Sequence, residues 1–459
     1  MGPDYTPPQI KLQDAWQQAG AKGLAEGKAD IQTWWALFSD PSLNALIERS
    51  GQGNLALKEA FARIKEARAQ RGIAAGERYP DIDAGGVALR KRSSHEFRPP
   101  TDQKGSTDDF FLLGGNASWE IDFWGKISRS IESSDASLQA AVEDYRNIFV
   151  MLYAEVALNY VEIRALQERI SFASENANTQ RKTLNLTRDR HEAGIAPELD
   201  IHQAELNVAK TESLIPDLHR LLTQAVNRLG VLLGQSPNAL HAELTQPAPI
   251  PKPSDEIYVG LPADILRRRP DIRRAERELA AQTARIGVAT ADLYPSFSLF
   301  GSFTLAANDF DSVFEYSRSR SHMFGPVFRW NIFDGGRIRN QIKAEDARTE
   351  QALIHYEQTV LDALEDVENA LVAYAKERER QGMLADSVDA AKKSVELVKI
   401  LYLSGLTDFQ NVLDMERALF EQQDTLAESE GETTQNLIRI YKALGGGWAP
   451  DSIQRTAGK

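Results

Sequence analysis

An internal repeat constrains this chain of 459 residues more than any other sequence feature. The word "ADLYP" repeats "GERYP" at an offset of 215 residues, and further along Trp119 matches Trp330 and Gly194 matches Gly405 at an offset of 211. The second copy is therefore shorter between these words, as expected of a surface loop. Such a repeat predicts one supersecondary unit that is built twice.

The repeat divides the sequence into five segments. The proline-rich stretch "TQPAPIPKPSDEIYVGLP" separates the two copies. We expect an N-terminal extended segment (1–45), a first structural repeat with a helix, a β-hairpin and a long helical hairpin (46–235), a Pro-rich linker (236–262), a second structural repeat (263–446) and a C-terminal tail (447–459).

Each copy contains two segments with the pattern of β-strands. In "SFSLFGSFTL" apolar and polar residues alternate, apart from Phe300, and a period of two is typical of a strand with one apolar and one polar face. The four predicted strands span 81–90, 110–123, 296–305 and 323–333. Each pair flanks a polar loop.

A long helix is predicted after the strands in each copy. Neither proline nor glycine occurs from Ile127 to Ala193, a span of roughly 100 Å if it is fully helical. Apolar residues at a spacing of three and four predict that this helix packs against others as a coiled coil. Gly194 and Gly405 end the long helices, and a second amphipathic helix follows each, so each copy folds back as a hairpin.

The strands indicate an oligomer. Two-stranded hairpins are marginal alone, and apolar faces in lipid require a closed barrel. Two chains would supply eight strands, which fill their own interior, whereas three supply twelve and leave a lumen. The side chains expected to face lipid are Trp119, Ile121, Phe297, Leu299, Phe303 and Trp330. A soluble coiled-coil scaffold with a small β domain is the alternative, because strand alternation also occurs in soluble proteins.

Composition and motifs argue against several other functions. A net charge of −13 disfavours nucleic acid as a partner. The chain has no cysteine, and it contains no HExxH word, P-loop or GxSxG word, so we expect no catalytic residues, no metal site, no cofactor and no enzymatic activity. The basic run 267–277 opens a predicted helix, and we expect it to be a solvated or ion-paired face.

Several words in the sequence carry a family resemblance. They include "GPDYTPP" (2–8), "SWEIDFWGKI" (118–127), "GLPADILRRRPDIRRAERELAA" (260–281) and "WNIFDGGRIR" (330–339). With these words the chain resembles the outer-membrane factors of tripartite efflux pumps, the TolC/OprM-like channels, and among them the lipoprotein branch associated with RND transporters. The resemblance extends from Gly2 to about Trp448.

The resemblance implies a fold, a location and partners. The fold would be that of an α+β membrane protein: a homotrimer in which four strands per chain complete a 12-stranded outer-membrane β-barrel, continued by a long α-helical coiled-coil barrel. The channel would lie in the outer membrane of a Gram-negative bacterium, in contact with its lipid, and extend into the periplasm. It would passively conduct small molecules outwards when a periplasmic adaptor (membrane fusion) protein and an inner-membrane RND transporter open it, as in multidrug resistance.

The sequence departs from the family at its first residue. Mature chains of the lipoprotein branch start with a lipidated cysteine just before the "GPxY" word, and Met1 stands at that position here. We expect Met1 to replace the signal peptide and the lipid anchor of the natural chain.

The resemblance also implies a periplasmic gate at the tips of the two hairpins. The gate candidates are Asp200, Tyr402, Asp408 and Asp414, and the candidate adaptor contacts are Gly194, Leu199, Gly405 and Leu406. Three symmetry-related carboxylates in a narrow throat would repel one another, attract cations and raise their own pKa values. The alternative is that these are ordinary exposed acids and turn residues.

Overall fold

The fold is described from a computed structural model of the chain. The described residues are 1–10, 15–16, 24–26, 31–92, 107–252, 257–259 and 268–448. Long helices and one four-stranded sheet contain most of them. No helix in these ranges combines the length and the apolar character needed to cross a membrane.

The secondary-structure elements alternate in the order predicted by the repeat. The helices are α1 (Pro41–Gly53), α2 (Leu55–Gly76), α3 (Lys126–Glu192), α4 (Glu198–Leu232), α5 (His241–Leu244), α6 (Pro270–Ala291), α7 (Tyr316–Ser319), α8 (Arg337–Leu403) and α9 (Phe409–Ala443). The strands are β1 (Leu24–Glu26), β2 (Asp81–Arg92), β3 (Thr107–Ile121), β4 (Ile257–Val259), β5 (Ser296–Ala307) and β6 (Arg320–Arg329). Short 3-10 turns cover Trp34–Phe38, Pro237–Leu240 and Asp311–Phe314.

The structure confirms the tandem repeat, because the bounds of several equivalent elements in the two copies match residue for residue. Helices α3 and α8 each contain 67 residues, and the offset of 211 carries the bounds of one onto the other. The same offset relates α4 to α9, each of 35 residues. The offset of 215 relates α2 to α6, of 22 residues, and β2 to β5, of 12 residues. The change of offset therefore falls after the first strand of each copy.

Each long helix begins after an aspartate. One Asp122 carboxylate oxygen accepts the Ile127 backbone N–H at 2.9 Å, and one Asp334 carboxylate oxygen accepts that of Ile338 at 2.8 Å. These bonds satisfy donors that the first turn of a helix cannot pair internally. The sequence thus fixes both long helices at equivalent starting points.

The chain folds into two compact units, and each unit draws on both copies of the repeat. The first contains Met1–Gln9, Arg63–Val142 and Arg274–Tyr356, and it includes the four-stranded sheet. The second contains the described residues of Ile10–Ala62, Glu143–Arg273 and Glu357–Lys459, and it includes both hairpin turns and the parallel pair β1–β4. The five sequence segments follow the repeat rather than these units, and their boundaries remain a prediction.

The sheet has the strand order β2-β3-β5-β6 and is antiparallel throughout. Trp119 pairs with Leu299 and Ile121 with Phe297, and residues opposite each other share a face. One face, called the apolar face below, therefore carries Trp119, Ile121, Phe297, Leu299 and Phe303. The other carries Ser296, Ser298, Ser302 and Thr304, with Phe300 as its exception. The predicted two-faced strands are confirmed, whereas lipid contact stays a prediction.

The predicted bounds of the later strands were wrong by a few residues. Strand β6 ends at Arg329, not at residue 333, because Arg329 pairs with Ser296 and this is the first residue of β5. Residues beyond Arg329 therefore have no partner in β5. Strand β3 covers Thr107–Ile121 rather than 110–123, and β2 and β5 each extend two residues past their predicted ends.

Two equivalent tryptophans join strand ends to helix ends. Trp119 donates its indole N–H to the Arg78 carbonyl at 2.9 Å, and Trp330 donates to the Leu293 carbonyl at 3.1 Å. Trp330 was predicted to lie within a strand, but it lies one residue after β6. Both indoles are partly exposed.

Four arginines of the basic run, Arg269, Arg273, Arg274 and Arg277, form ion pairs, in line with the predicted solvated or ion-paired face; Arg267 lies outside the described residues. Arg269 is largely buried and contacts Asp271 at 2.6 Å and Asp366 at 3.1 Å. Arg273 contacts Glu143 at 2.8 Å. These charges stabilise the start of α6 and leave no free basic surface for phosphates at these two positions.

Candidate functional site

The two hairpin tips have the same backbone design. Gly194 and Gly405 adopt φ angles of 71° and 72°, in the left-handed region that favours glycine. After each glycine the backbone N–H returns to the helix: Ile195 donates to the Arg190 carbonyl, and Leu406 to the Leu401 carbonyl, both at 2.9 Å. This is the Schellman ending of a helix, and it turns the chain sharply towards α4 and α9.

The tip glycines are required because of their left-handed backbone conformation, and not because a side chain would clash with its neighbours. A Cβ built on Gly405 meets no atom within 4 Å, so Gly405→Ala should destabilise the tip by about 1–2 kcal/mol through the left-handed φ alone. Gly382 is the matched control, because it lies inside α8, also in open space, where alanine stabilises a helix by roughly 1 kcal/mol. Denaturant unfolding followed by helical circular dichroism should therefore show shifts of opposite sign. Shifts of the same sign would contradict the backbone argument.

Tyr402 lies inside the tip and not on its surface. Its ring packs in a buried cluster with Leu184 and Val398, and its centroid is 5.2 Å from that of Phe409. The Arg190 guanidinium lies 4.6 Å from the centre of the Tyr402 ring, a cation–π contact. From the part of the chain that the structure describes, no hydrogen bond of ordinary geometry reaches the buried hydroxyl. Burial raises the pKa of Tyr402, so the phenol stays neutral.

Two of the predicted gate carboxylates, those of Asp200 and Asp408, lie near each other. Partial burial raises the pKa of Asp200, the nearby Asp408 carboxylate raises it further, and the Arg190 guanidinium opposes both. Asp200 lies in the first turn of α4, and Asp408 is the residue before α9. Arg190, Asp200, Tyr402 and Asp408 thus form one group, called the tip cluster below.

Asp414 is placed apart from the tip cluster. Its carboxylate accepts the Gln410 side-chain amide at 2.9 Å and contacts Arg417 at 3.5 Å, and its side chain is about half exposed.

The candidate adaptor contacts are accessible. Leu199 and Leu406 are 62% and 74% exposed, beside the two open glycines.

The raised pKa of Asp200 predicts a pH-dependent stability of the tip. A carboxyl whose pKa is raised on folding stabilises the fold below its ordinary pKa and loses that contribution as the pH rises through the raised value. Asp200→Asn should therefore unfold at a higher temperature than the wild type at pH 7, and the difference should vanish at about pH 2, where the carboxyl is protonated in both states. Thermal unfolding at both pH values measures this. An offset independent of pH would show that the carboxylate charge plays no part.

Sequence reasoning missed Arg190 and a partly buried ion pair. Arg190 is a basic residue in the last turn of α3, a position that favours cations, and this was the available signal. The pair joins the partly exposed Lys399 to the buried Glu416 at 2.8 Å, and the carboxylate also accepts the Thr183 hydroxyl at 2.6 Å. Among the described residues, no group of three or more His, Cys, Asp or Glu is placed to hold a metal ion.

Comparisons of the sequence and of the fold with known proteins all indicate the same family. The sequence model of the outer membrane efflux protein family matches residues 46–235 and 261–446. Nodulation protein T of Rhizobium leguminosarum bv. trifolii is 31% identical over 450 residues, which cover 98% of this chain and 95% of that protein. The pyoverdine export outer membrane protein OpmQ of Pseudomonas putida is 31% identical over 460 residues, with 98% and 95% covered. The solved outer-membrane channel OprN superposes with a TM-score of 0.92 at 36% identity, with 98% of this chain and 100% of that one covered.

Proposed function

Because this chain belongs to the outer membrane efflux protein family, it is an outer-membrane efflux channel, and we propose that three copies of it form the working duct. The duct passively conducts small molecules from the periplasm to the exterior when its partners open it. Those partners are a periplasmic adaptor protein and an inner-membrane RND transporter. The family consists of transport channels, and the proposal contains no catalytic step.

The single observation that carries the trimer is the four-stranded sheet with its apolar face. In one chain β2 and β6 are edge strands, and their free backbone groups cannot face hydrocarbon unpaired. Pairing β6 of one copy with β2 of the next closes twelve strands around a lumen after three copies. The apolar face then meets lipid. Trp119 and Trp330 lie at the helical end of the strands, where tryptophan suits a membrane–water interface.

The tip cluster supports a gate in the closed state. The guanidinium of Arg190 contacts the Tyr402 ring and offsets the charge of the Asp200 carboxylate, so it links α3 to α8 and α4 at their turns, while Asp408 faces Asp200 from the start of α9. Asp414 forms a separate carboxylate ring in this proposal, since its side chain is exposed and free to face the lumen.

The exposed tips support an adaptor-docking surface. Leu199 and Leu406 expose large apolar side chains next to Gly194 and Gly405, whose lack of a side chain admits a close backbone approach. Exposed apolar groups of this kind mark interaction sites in proteins. The occupant in this proposal is the periplasmic adaptor protein, which contacts the two turns.

Light scattering of the protein–detergent complex, with the detergent mass subtracted, tests the trimer. We expect the mass of three chains of 51.1 kDa each. A monomer that stays in solution when detergent is removed would overturn the duct and favour the scaffold. A trimer that also survives without detergent would overturn the lipid-facing assignment of the apolar face.

A further inference from the structure

Basic residues replace apolar ones at the end of the sheet away from the helices. At the helical end, β2 follows α2 and β6 leads into α8. At the opposite end, β2 finishes with Arg90, Lys91 and Arg92, and β6 begins with Arg320. Basic residues therefore stand where the two edge strands leave the apolar part of the sheet.

Alternation assigns these basic residues to faces. Arg90 and Arg92 fall on the apolar face of β2, and Lys91 falls on the polar face. On β6, Arg320 pairs with Leu305 and His322 pairs with Phe303, so both belong to the apolar face. The residues Arg90, Arg92, Arg320 and His322 are called the basic rim below.

Ring contacts place Arg320 on the apolar face independently of the pairing. The Tyr316 ring stacks on Phe303, with centroids 6.2 Å apart, and Phe303 belongs to the apolar face. The Arg320 guanidinium lies 5.1 Å from the centre of the Tyr316 ring. The rim thus combines an aromatic ring with a cation, an arrangement typical of a boundary between lipid and water.

The charge of the basic rim is only partly balanced. Arg90 contacts Asp109 at 3.3 Å, and both lie at the same level of the sheet. Among the described residues, neither Arg92 nor Arg320 forms an ion pair with a carboxylate. Two guanidiniums therefore remain available to an anion on the face that the proposed function assigns to lipid.

Arg92 and Arg320 belong to the two edge strands, which become neighbours where two copies meet in a closed barrel. Arg320 stands in one row with Leu305, Leu113 and Gly86, and Gly86 is six residues before Arg92. Closing a barrel requires the strands to be staggered in register where the copies meet. If β6 of one copy pairs with β2 of the next with a stagger of six residues, Arg320 of the first lies level with Arg92 of the second.

We propose that the basic rim at each junction between copies binds the phosphate groups of an anionic glycolipid in the outer leaflet. This inference rests on the proposed function, because it requires the trimer and its lipid-facing side. Guanidinium groups bind phosphate with two parallel hydrogen bonds, and the adjacent apolar face accommodates acyl chains. The occupant is a membrane lipid of the lipid A type, whose phosphates and acyl chains both find partners on this face.

The test is lipid binding to the intact trimer, followed by native mass spectrometry. The probes are lipid A with its phosphates, the same lipid with its phosphates removed, and inorganic phosphate. For the double variant Arg92→Gln/Arg320→Gln we expect roughly a tenfold or greater loss of phosphorylated lipid, since two charge-assisted contacts per junction are removed. Lys91→Gln is the matched control, because Lys91 has the same charge and lies between the two rim positions of β2 but on the polar face, and it should bind as the wild type does.

Each outcome of this experiment either supports or overturns lipid binding at the basic rim. Binding that depends on the phosphates and is lost only in the double variant supports the inference. Equal binding by the double variant and the wild type, or equal binding of the lipid without phosphates, overturns it. Competition by millimolar inorganic phosphate alone would show a generic anion site and also overturn it. The same spectra report the number of chains, so a missing trimer counts against the proposed function and not against the rim.

Discussion

Arg190→Ala is expected to increase the fraction of time that the purified channel spends open in a planar lipid bilayer. The variant loses the cation–π contact with Tyr402 and leaves the Asp200 carboxylate, which the Asp408 carboxylate repels, without the nearby cation. A contact of this kind contributes about 1–2 kcal/mol, so the equilibrium between closed and open tips should shift by roughly tenfold for each copy. Single-channel recording measures the shift as a longer dwell time at high conductance.

Two control variants separate this effect from a general loosening of the helices. Arg188→Ala removes the neighbouring arginine, which pairs with Glu205 on the exposed surface, and it should leave the recordings unchanged. Tyr402→Phe keeps the ring under Arg190 and removes only a hydroxyl without a hydrogen bond of ordinary geometry, so it should also stay closed. Opening by Arg188→Ala, or no opening by Arg190→Ala, would be inconsistent with the tip cluster as the gate.

Lys399→Met should strongly destabilise the hairpins. It leaves the Glu416 carboxylate, which is only 3% exposed, with the Thr183 hydroxyl but without its cation. Breaking a fully buried pair costs about 3–5 kcal/mol, and we expect a loss towards the lower end of that range because Lys399 is 32% exposed. Chemical unfolding followed by helical circular dichroism should show the loss as an earlier midpoint.

The repeat supplies a matched control for this prediction. Arg188 and Glu205 occupy the positions equivalent to Lys399 and Glu416 at the offset of 211, but their ion pair is exposed. Arg188→Met should therefore unfold near the wild-type midpoint. The double variant Lys399→Met/Glu416→Gln should recover most of the lost stability, because the buried charge is gone. Failure to recover would mean that the methylene stem of Lys399, and not its charge, stabilises the hairpin.

Much of the fold was predictable because its signals are local. Helices α3 and α8 end where glycine permits a left-handed turn, and a period of two marks β3, β5 and β6. Strand β2, with two glycines and few large apolar groups, was predictable mainly through its repeat partner β5. The end of β6 was not predictable, since it depends on which residue of β5 starts the pairing with Arg329.

The candidate site was less predictable because its contacts are long-range. Arg190 meets Tyr402 across more than two hundred residues, and no spacing rule encodes a contact between two different hairpins. The resemblance indicated Asp200 and Asp408 one at a time, and only the packing of the helix ends brings the two carboxylates near each other and Arg190 near Asp200. Asp414 was grouped with them on sequence grounds, yet its contacts are with Gln410 and Arg417.

The equal lengths of the two hairpins have a consequence for how such a duct can move. With three copies, the backbone alone would give six matching hairpins and hence pseudo-sixfold symmetry. The side chains break this symmetry, because Tyr402 corresponds to His191 and Asp200 corresponds to Asn411 at the offset of 211. Opening in which all six hairpins move alike is therefore disfavoured. Alternate hairpins should carry the motion while their neighbours stay in place, and the aperture should widen with threefold symmetry.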